Sequence, residues 1–186
     1  MLLVNGHWTV LIMVHIKLNS NNDKNNLPIH SHGAEQFKPN TTVAAVIHCQ
    51  GKFLLVEEKE NNKTVYNQPA GHLEAKEDLI AAIEREVLEE TGLSLTPDYL
   101  SGIYYCYRAE LALYFLRFCF VIELDTLLIG QSQDDEIIAT HWLDIDEIKL
   151  KKDQLRSSTV MECIEDYLLG KQSGNKIPLS SLKSSL

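Results

Sequence analysis

Residues 71–93, GHLEAKEDLIAAIEREVLEETGL, decide the fold of this chain. One glycine opens the stretch, a second closes it, and a helix-forming run with clustered glutamates lies between them. The pattern predicts a loop, a helix over residues 77–91 and a second loop. Because positions i, i+3 and i+4 are neighbours on a helix, Glu86, Glu89 and Glu90 are expected to share one face.

Carboxylates crowded on one helix face repel each other unless a positive charge lies among them. Lysine and arginine are scarce in this stretch, so we expect these glutamates to lack ion-pair partners one helical turn away. Mg²⁺ prefers oxygen ligands and leaves coordination positions for water and substrate phosphate. The pattern therefore favours a Mg²⁺ site that takes a diphosphate, and a solvated charged helix is the alternative. A neighbouring stripe of Ile80, Ile83 and Val87 predicts burial against a sheet.

Length and charge limit the classes of function. The chain has 186 residues, a single-domain size, and its net charge of −9 argues against holding long nucleic acid by phosphate neutralisation. Small phosphorylated substrates are not excluded, because a bound metal would offset their charge. The four cysteines lack metal-site spacing, which predicts buried free thiols in a reducing cytoplasm, with a disulfide between two of them left open.

Residues 1–36 differ in composition from the rest of the chain. An interrupted apolar stretch, too short for a membrane span, precedes the Asn-rich segment NSNNDKNNLPIHSH. Such a polar segment cannot offset its ordering entropy, so we expect residues 1–36 to be a flexible extension or a misassigned translation start. We expect the functional domain at residues 37–179, a loose tail at residues 180–186, and no membrane partner.

Outside the stretch at residues 71–93, apolar runs alternate with turn residues. The predicted strands are Thr41–His48, Lys52–Glu58, Tyr99–Arg108, Leu113–Leu124 and Ile137–Leu143, and the predicted helices are Asp144–Lys149 and Gln154–Leu169. The first two strands are expected to form a hairpin. Strands between helices predict an α/β fold with a mixed sheet covered on both sides.

The stretch at residues 71–93 resembles the Nudix box, G-x5-E-x7-R-E-U-x-E-E-x-G-U with U a bulky aliphatic residue. Every fixed position is filled: Gly71, Glu77, Arg85, Glu86, Val87, Glu89, Glu90, Gly92 and Leu93. This box is the signature of hydrolases that act on nucleoside diphosphates linked to another group. The resemblance implies an α/β/α sandwich with a mixed β-sheet, in which the box forms a loop-helix-loop beside the sheet.

A narrower resemblance covers roughly residues 37–179. The segments FKPN-TTVA, NQPAGHLEA, FLRF and LRS are similar to those of the NudJ-type bacterial phosphatases in this family. This likeness implies a monomer that uses Mg²⁺, with Mn²⁺ as a second candidate, to release orthophosphate. The implied substrates are nucleoside tri- and diphosphates and hydroxymethylpyrimidine pyrophosphate, a thiamine precursor. The alternatives are a pyrophosphohydrolase of ADP-ribose, dinucleotides or RNA 5′ ends, and a nucleotide-sensing module without turnover.

The box residues divide into metal ligands and supporting residues. A Mg²⁺ ion held by Glu86, Glu89 and Glu90 would neutralise phosphate oxygens and lower the pKa of a bound water. The resemblance adds the carbonyl oxygen of Gly71 as a further ligand. Glu77, Arg85 and Gly92 are expected to support the box, the first two as an orienting pair.

The general base is expected to be Glu86, Glu89 or an acid on a distal loop. In that loop the acidic run at residues 134–136 ends at Glu136, which we select, and a solvated acidic turn is the alternative.

Four further residues are candidates for substrate binding, each with a structural alternative. Tyr66 could stack on a ring or lie in the core, and it stands where the narrower resemblance has tryptophan. His72 could contact phosphate or make a structural hydrogen bond. Arg117 could contact phosphate or pair with Glu123. Arg156 could close over the site or lie on the surface.

Overall fold

Strand β1 (Asn40–Cys49) lies in the middle of the sheet in the computed structural model, which describes residues 37–174 and 176–186. The other strands are β2 (Lys52–Glu60), β3 (Lys63–Asn67), β4 (Ala70–His72), β5 (Tyr99–Arg108), β6 (Leu113–Leu124), β7 (Ile137–Asp144) and β8 (Ile177–Pro178). The helices are α1 (Leu79–Thr91), α2 (Ile145–Leu150) and α3 (Ser158–Ser173), with 3₁₀ turns at Lys152–Gln154 and Leu179–Ser181. The predicted bounds of β5 and β6 are confirmed.

The pairing of β1 explains where a site can form. Along one edge, β1 pairs in parallel with β6 over its whole length. Along the other edge, His48 and Cys49 pair with β2, whereas Thr42, Val43 and Ala44 pair with β4. Strand β2 continues the sheet by pairing with β3 and β7. The sheet therefore splits between β1 and β2, and β4, which contains the first box glycine, lies against β1 at that split.

Side chains alternate between the two faces of β1, because successive residues of a strand point in opposite directions. Val43 and Ile47 pack in one core cluster with Ile83 and Val87 of α1. Val46 packs on the opposite face in a cluster with residues of α3. Helices therefore cover both faces of a mixed sheet, and the predicted α/β/α sandwich is confirmed.

Two predicted helix starts lie two and four residues too early, the first because of a capping residue and the second because of a contact with β3. Helix α1 begins at residue 79, because the side chain of Asp78 accepts hydrogen bonds from the backbone N–H groups of Ile80 and Ala81 at 3.0 and 2.9 Å. Helix α3 begins at residue 158, because Leu155 instead forms a parallel bridge with Tyr66 at the edge of β3.

Other expectations have mixed outcomes. The expected flexible extension at residues 1–36 lies outside the described residues, and the domain bounds stay a prediction. In the tail, the side chain of Leu182 packs against the core cluster on the α1 side. All four cysteines are free thiols, and only Cys106 is not fully buried. Among the described residues, no helix is long and apolar enough to cross a membrane.

Candidate active site

A cavity of about 350 Å³ lies where α1, β4 and the loop before β7 meet, and we call it the box cavity. Its walls include Glu58, Gly71, His72, Arg85, Glu86, Glu89, Glu90, Asp134, Glu136 and Arg156. The structure therefore brings all the predicted metal ligands, the predicted base and two substrate-binding candidates into one place. Their roles stay predictions.

Gly71 allows β4 to lie close to the box helix. A Cβ atom at this position would lie 2.1 Å from Oε1 of Glu86, so any side chain would displace that carboxylate. The backbone of β4 thus meets the box helix through a residue that has no side chain. The requirement for glycine here is a close approach and not a left-handed backbone conformation.

Arg85 joins the acidic residues of the box. Its guanidinium donates to both carboxylate oxygens of Glu77 at 3.1 and 2.8 Å, to Glu86 at 2.7 Å and to Glu89 at 3.1 Å. It also donates to the carbonyl oxygen of His72 at 3.0 Å. The predicted pair of Glu77 and Arg85 forms, and its hydrogen bonds lower the pKa of Glu77 and raise that of Arg85. The expectation that box glutamates lack partners one turn away is wrong for Glu89.

The innermost carboxyl groups of the cavity lie where their charged form is disfavoured. Glu90 is 7% exposed, and burial, followed by the nearby carboxylates of Glu86, Glu58 and Asp134, raises its pKa to about 9, although the N–H of Ala70 donates to it at 3.0 Å. Burial is also the main reason that the pKa of Glu86 is raised. Such a group of desolvated oxygens suits a hard divalent cation.

Two of the carboxylates that would hold a cation, Glu86 and Glu89, accept hydrogen bonds from Arg85. Among residues 37–174 and 176–186, no three His, Cys, Asp or Glu side chains are already placed as a metal-binding group. Arg85 donates to one carboxylate oxygen of Glu86 and to one of Glu89. Each of these hydrogen bonds uses one of the two carboxylate oxygens, so the other oxygen of Glu86 and of Glu89 is not taken by Arg85.

The wall opposite the box helix contains an ion pair that sequence reasoning found only in part. Arg156 donates through Nη1 to Oε2 of Glu58, and its backbone N–H donates to the carbonyl of Tyr66 at 2.9 Å. The other carboxylate oxygen of Glu58 is buried and has no hydrogen-bond partner. The substrate-binding candidate Arg156 is thus beside the cavity, whereas no role was predicted for Glu58.

The acidic loop is fixed to the end of the box helix. The carbonyl oxygen of Glu89 accepts hydrogen bonds from the N–H groups of Gln133 and Asp134 at 2.7 and 3.1 Å. Gly92 ends the helix in a left-handed conformation with φ of 71°, and a Cβ atom there would lie 2.0 Å from the carbonyl oxygen of Gln131. Glu136 was selected from the sequence, but Asp134 of the same run also lines the cavity.

Two candidates lie away from the cavity walls. Tyr66 is 8% exposed within the core on the α3 side, where its ring meets His141 edge-on and Lys151 lies 4.3 Å from its centroid. This geometry supports the core alternative. Arg117 lies on the α3 face, and the alternative pair with Glu123 is wrong, because Glu123 pairs with lysines of the C-terminal region.

Comparison with known proteins agrees with this geometry. Residues 37–162 match the NUDIX domain model, so the chain belongs to the Nudix family and is a hydrolase of phosphorus-containing anhydrides. It is a NudJ-like member: it is 45% identical over 146 residues to the phosphatase NudJ of Shigella boydii, which covers 78% of this chain and 92% of that protein.

Solved structures lead to the same family. A NUDIX hydrolase from Nitrosomonas europaea has a TM-score of 0.72 and 44% identity, covering 79% of this chain and 97% of that one. A bifunctional NMN adenylyltransferase/ADP ribose pyrophosphatase from Francisella tularensis, complexed with AMP and a Mn ion, has a TM-score of 0.60 and 20% identity, covering 75% and 43%. The second likeness shows the fold alone.

Proposed function

We propose that this protein is a Mg²⁺-dependent phosphatase that releases orthophosphate from nucleoside tri- and diphosphates and from hydroxymethylpyrimidine pyrophosphate. The observation that carries the proposal is the convergence of Glu86, Glu89 and Glu90 beside Gly71 in one cavity. The likeness to NudJ proteins, which are named phosphatases, supports removal of a terminal phosphate rather than cleavage inside a longer substrate.

The box residues have two proposed roles, holding the cation and positioning the residues that hold it. When bound, a divalent cation neutralises phosphate oxygens and lowers the pKa of a coordinated water. Glu86, Glu89, Glu90 and the Gly71 carbonyl would hold it, and Mn²⁺ would fit the same oxygen ligands. Arg85, anchored on both oxygens of Glu77, keeps the glutamates in position.

Substrate contacts come from the other walls of the cavity. Arg156, held by Glu58, donates to phosphate oxygens, and His72 lies at the cavity edge where a phosphate would enter. Glu136 accepts the proton of the attacking water, with Glu86 and Glu89 as the other candidates for this role. The N–H groups of Gln133 and Asp134, in the loop that contains Glu136, donate to the carbonyl oxygen of Glu89 and so tie this loop to the box helix.

The test is product identity. Purified full-length protein is incubated with Mg²⁺ and hydroxymethylpyrimidine pyrophosphate, nucleoside di- and triphosphates, or ADP-ribose, with Glu89→Gln as the control. Orthophosphate from the first two groups, lost in the variant, is expected. AMP from ADP-ribose without orthophosphate would instead identify a pyrophosphohydrolase. Tight binding without turnover would identify a nucleotide-sensing module.

The organisation of the chain forms part of the proposal. We infer that residues 37–179 are the functional domain, which the family match over residues 37–162 supports. We also infer a monomer, as the narrower resemblance implies, and a cytoplasmic location, which the four free thiols support. Light scattering of the purified full-length chain measures the oligomeric state, and a dimer would contradict this inference.

A further inference from the structure

Three polar residues that no motif connects lie together on the α3 face of the sheet. Thr42 of β1 pairs with Arg117 of β6 on one side and with His72 of β4 on the other, so the three side chains form a row across adjacent strands. Gln68 reaches the same face, because its amide nitrogen donates to Sγ of Cys119 at 3.4 Å. We call Thr42, Gln68 and Arg117, each of which has a buried polar atom without a partner, the open row, and His72 lies beside Thr42 at its end.

The open row contains polar atoms that the protein leaves without partners. Thr42 is 4% exposed and Gln68 is 1% exposed, yet Oγ1 of Thr42 and Oε1 of Gln68 make no hydrogen bond. Nη1 of Arg117 is also buried without an acceptor. Buried donors and acceptors are almost always paired in folded proteins, because an unpaired one has lost its water without gaining a hydrogen bond. A ligand that pairs with all three would provide the missing hydrogen bonds.

No nearby carboxylate explains the arginine. Of the acids on the elements packed against this face, Asp166 accepts from the hydroxyl of Tyr104 at 2.8 Å, and Glu123 pairs with Lys171 at 3.2 Å. Arg117 forms no salt bridge within the described part of the chain. On the same face as the open row, Ala44 pairs with Ala70, so the surface next to these polar residues consists of two methyl groups.

The free atoms have a definite pattern. Because Gln68 uses its amide nitrogen on Cys119, its oxygen is the end left free, and it only accepts. Arg117 only donates, and Thr42 does either. A phosphate group has acceptors alone and would meet the Gln68 oxygen without a proton between them. A heterocyclic ring that carries an amino group beside a ring nitrogen offers one donor and one acceptor side by side.

We propose that the open row binds the ring of the substrate and selects amino-substituted six-membered heterocycles. Gln68 accepts from the exocyclic amino group, Arg117 donates to the adjacent ring nitrogen, and Thr42 completes the contact. Rings with an oxo group and a protonated nitrogen present the reverse pattern and are disfavoured. The inference rests on the proposed function for the phosphate end of the substrate. His72, which ends the row and also lines the box cavity, connects the two sites.

The test measures binding in metal-free full-length protein, so it does not depend on turnover. Two matched nucleoside pairs, cytidine with uridine and adenosine with inosine, are titrated while the side-chain nitrogen resonances of Gln68 and Arg117 are followed by NMR. Each pair differs by an amino group against an oxo group. We expect the amino member to bind about tenfold more tightly, the effect of one well-made buried hydrogen bond.

Variants separate ring recognition from folding. Gln68→Leu and Arg117→Met should abolish the difference within each pair, whereas Arg117→Lys, which keeps a donor, should retain most of it. Thermal midpoints identify folded variants, and the two Arg117 substitutions decide the question if Gln68→Leu does not fold. These measurements stand whether or not the phosphatase assay yields orthophosphate.

Three results would overturn the proposal. The first is equal affinity for both members of each pair, or no resonance shift at millimolar nucleoside. The second is a difference that persists in the folded variants. The third is inorganic phosphate that shifts the Arg117 resonance and displaces the nucleoside, which would assign the arginine to phosphate instead.

Discussion

On the α1 face of the sheet, Arg85 alone donates five hydrogen bonds to neighbouring groups, whereas on the α3 face the open row leaves three buried polar atoms without any partner. The two faces meet at β4, where Gly71 faces the box helix and His72 continues the open row. The box arranges its charges with the protein's own side chains. The polar atoms of the open row have no hydrogen-bond partner in the protein, so we expect a ligand to provide one.

This contrast fits a protein in which the α1 face carries out the hydrolysis and the α3 face selects the substrate. A phosphate group is common to all candidate substrates, so its site can be organised in advance by the protein. A ring differs from one substrate to the next, and unpaired atoms that a matching ring would satisfy discriminate more strongly than contacts that are satisfied beforehand. The predictions below test whether the two faces behave separately.

The largest effect is expected from removing one charge of the box. Glu89→Gln should lower kcat by roughly 10²- to 10³-fold, as loss of one preorganised electrostatic group typically does. Glu84→Gln, on the same helix but outside the box cavity, is the matched control and should retain activity. Steady-state orthophosphate release measures both. Similar losses in the two variants would show that helix charge, and not the metal site, is responsible.

A smaller loss is expected from Arg85→Lys. Lysine keeps the charge but cannot reproduce the bidentate pair with Glu77, so the glutamates lose their fixed orientation. Activity should fall about 10- to 100-fold, the range for groups that orient metal ligands. Isothermal titration with Mg²⁺ should show weaker binding, while nucleoside binding at the open row should be unchanged. A parallel loss of nucleoside affinity would contradict the separation of the faces.

Substituting alanine for the two box glycines should have different effects, one on stability and the other on activity. Gly92→Ala places a Cβ against the backbone of Gln131 and requires φ of 71°, so it should lower the free energy of unfolding by about 1–3 kcal/mol. Gly71→Ala meets only the flexible end of Glu86, so it should leave the thermal midpoint nearly unchanged and reduce activity. Thermal denaturation and orthophosphate release on both variants measure this. Strong destabilisation by Gly71→Ala would be the contrary result.

The smallest effect is a pH dependence of the metal-free protein. Burial raises the pKa of Glu90 to about 9, above its unfolded value, so the folded state favours the protonated acid. Stability from this group is present in full below about pH 4.5 and is lost as the pH rises from there towards 9. Thermal midpoints across this range, with a chelator, should decline less steeply in Glu90→Gln. Identical slopes in both proteins would exclude Glu90 as the source.

Much of the fold follows from local patterns in the sequence. β5 and β6 have their predicted bounds because each is a long, largely apolar run rich in residues that favour strands. The start of α3 was missed because Leu155 gains a bridge to Tyr66, a partner far along the chain. A tertiary contact of this kind leaves no periodic signal in the sequence.

The same distinction applies to the site. The box glutamates could be placed because i, i+3 and i+4 spacing fixes them on one helix face. Glu58 and the open row could not be placed from the sequence, because the neighbours of a strand residue depend on the register of the adjacent strands. Arg117 was considered from the sequence, but its pairing with Thr42 follows only from the alignment of β1 and β6.

The parallel pairing of β1 with β6 also sets the order of events during folding. The two strands are joined by everything from β2 to β5, including the box helix, so they meet only after a long loop has closed. Local hydrogen bonds can form the box helix much earlier. Thr42 and Arg117 of the open row lie on the paired strands themselves, and β4, whose Gly71 lies against Glu86, pairs with β1. A refolding chain is therefore expected to regain its helical signal before its activity, with the competent enzyme arising only at the slowest step of sheet assembly.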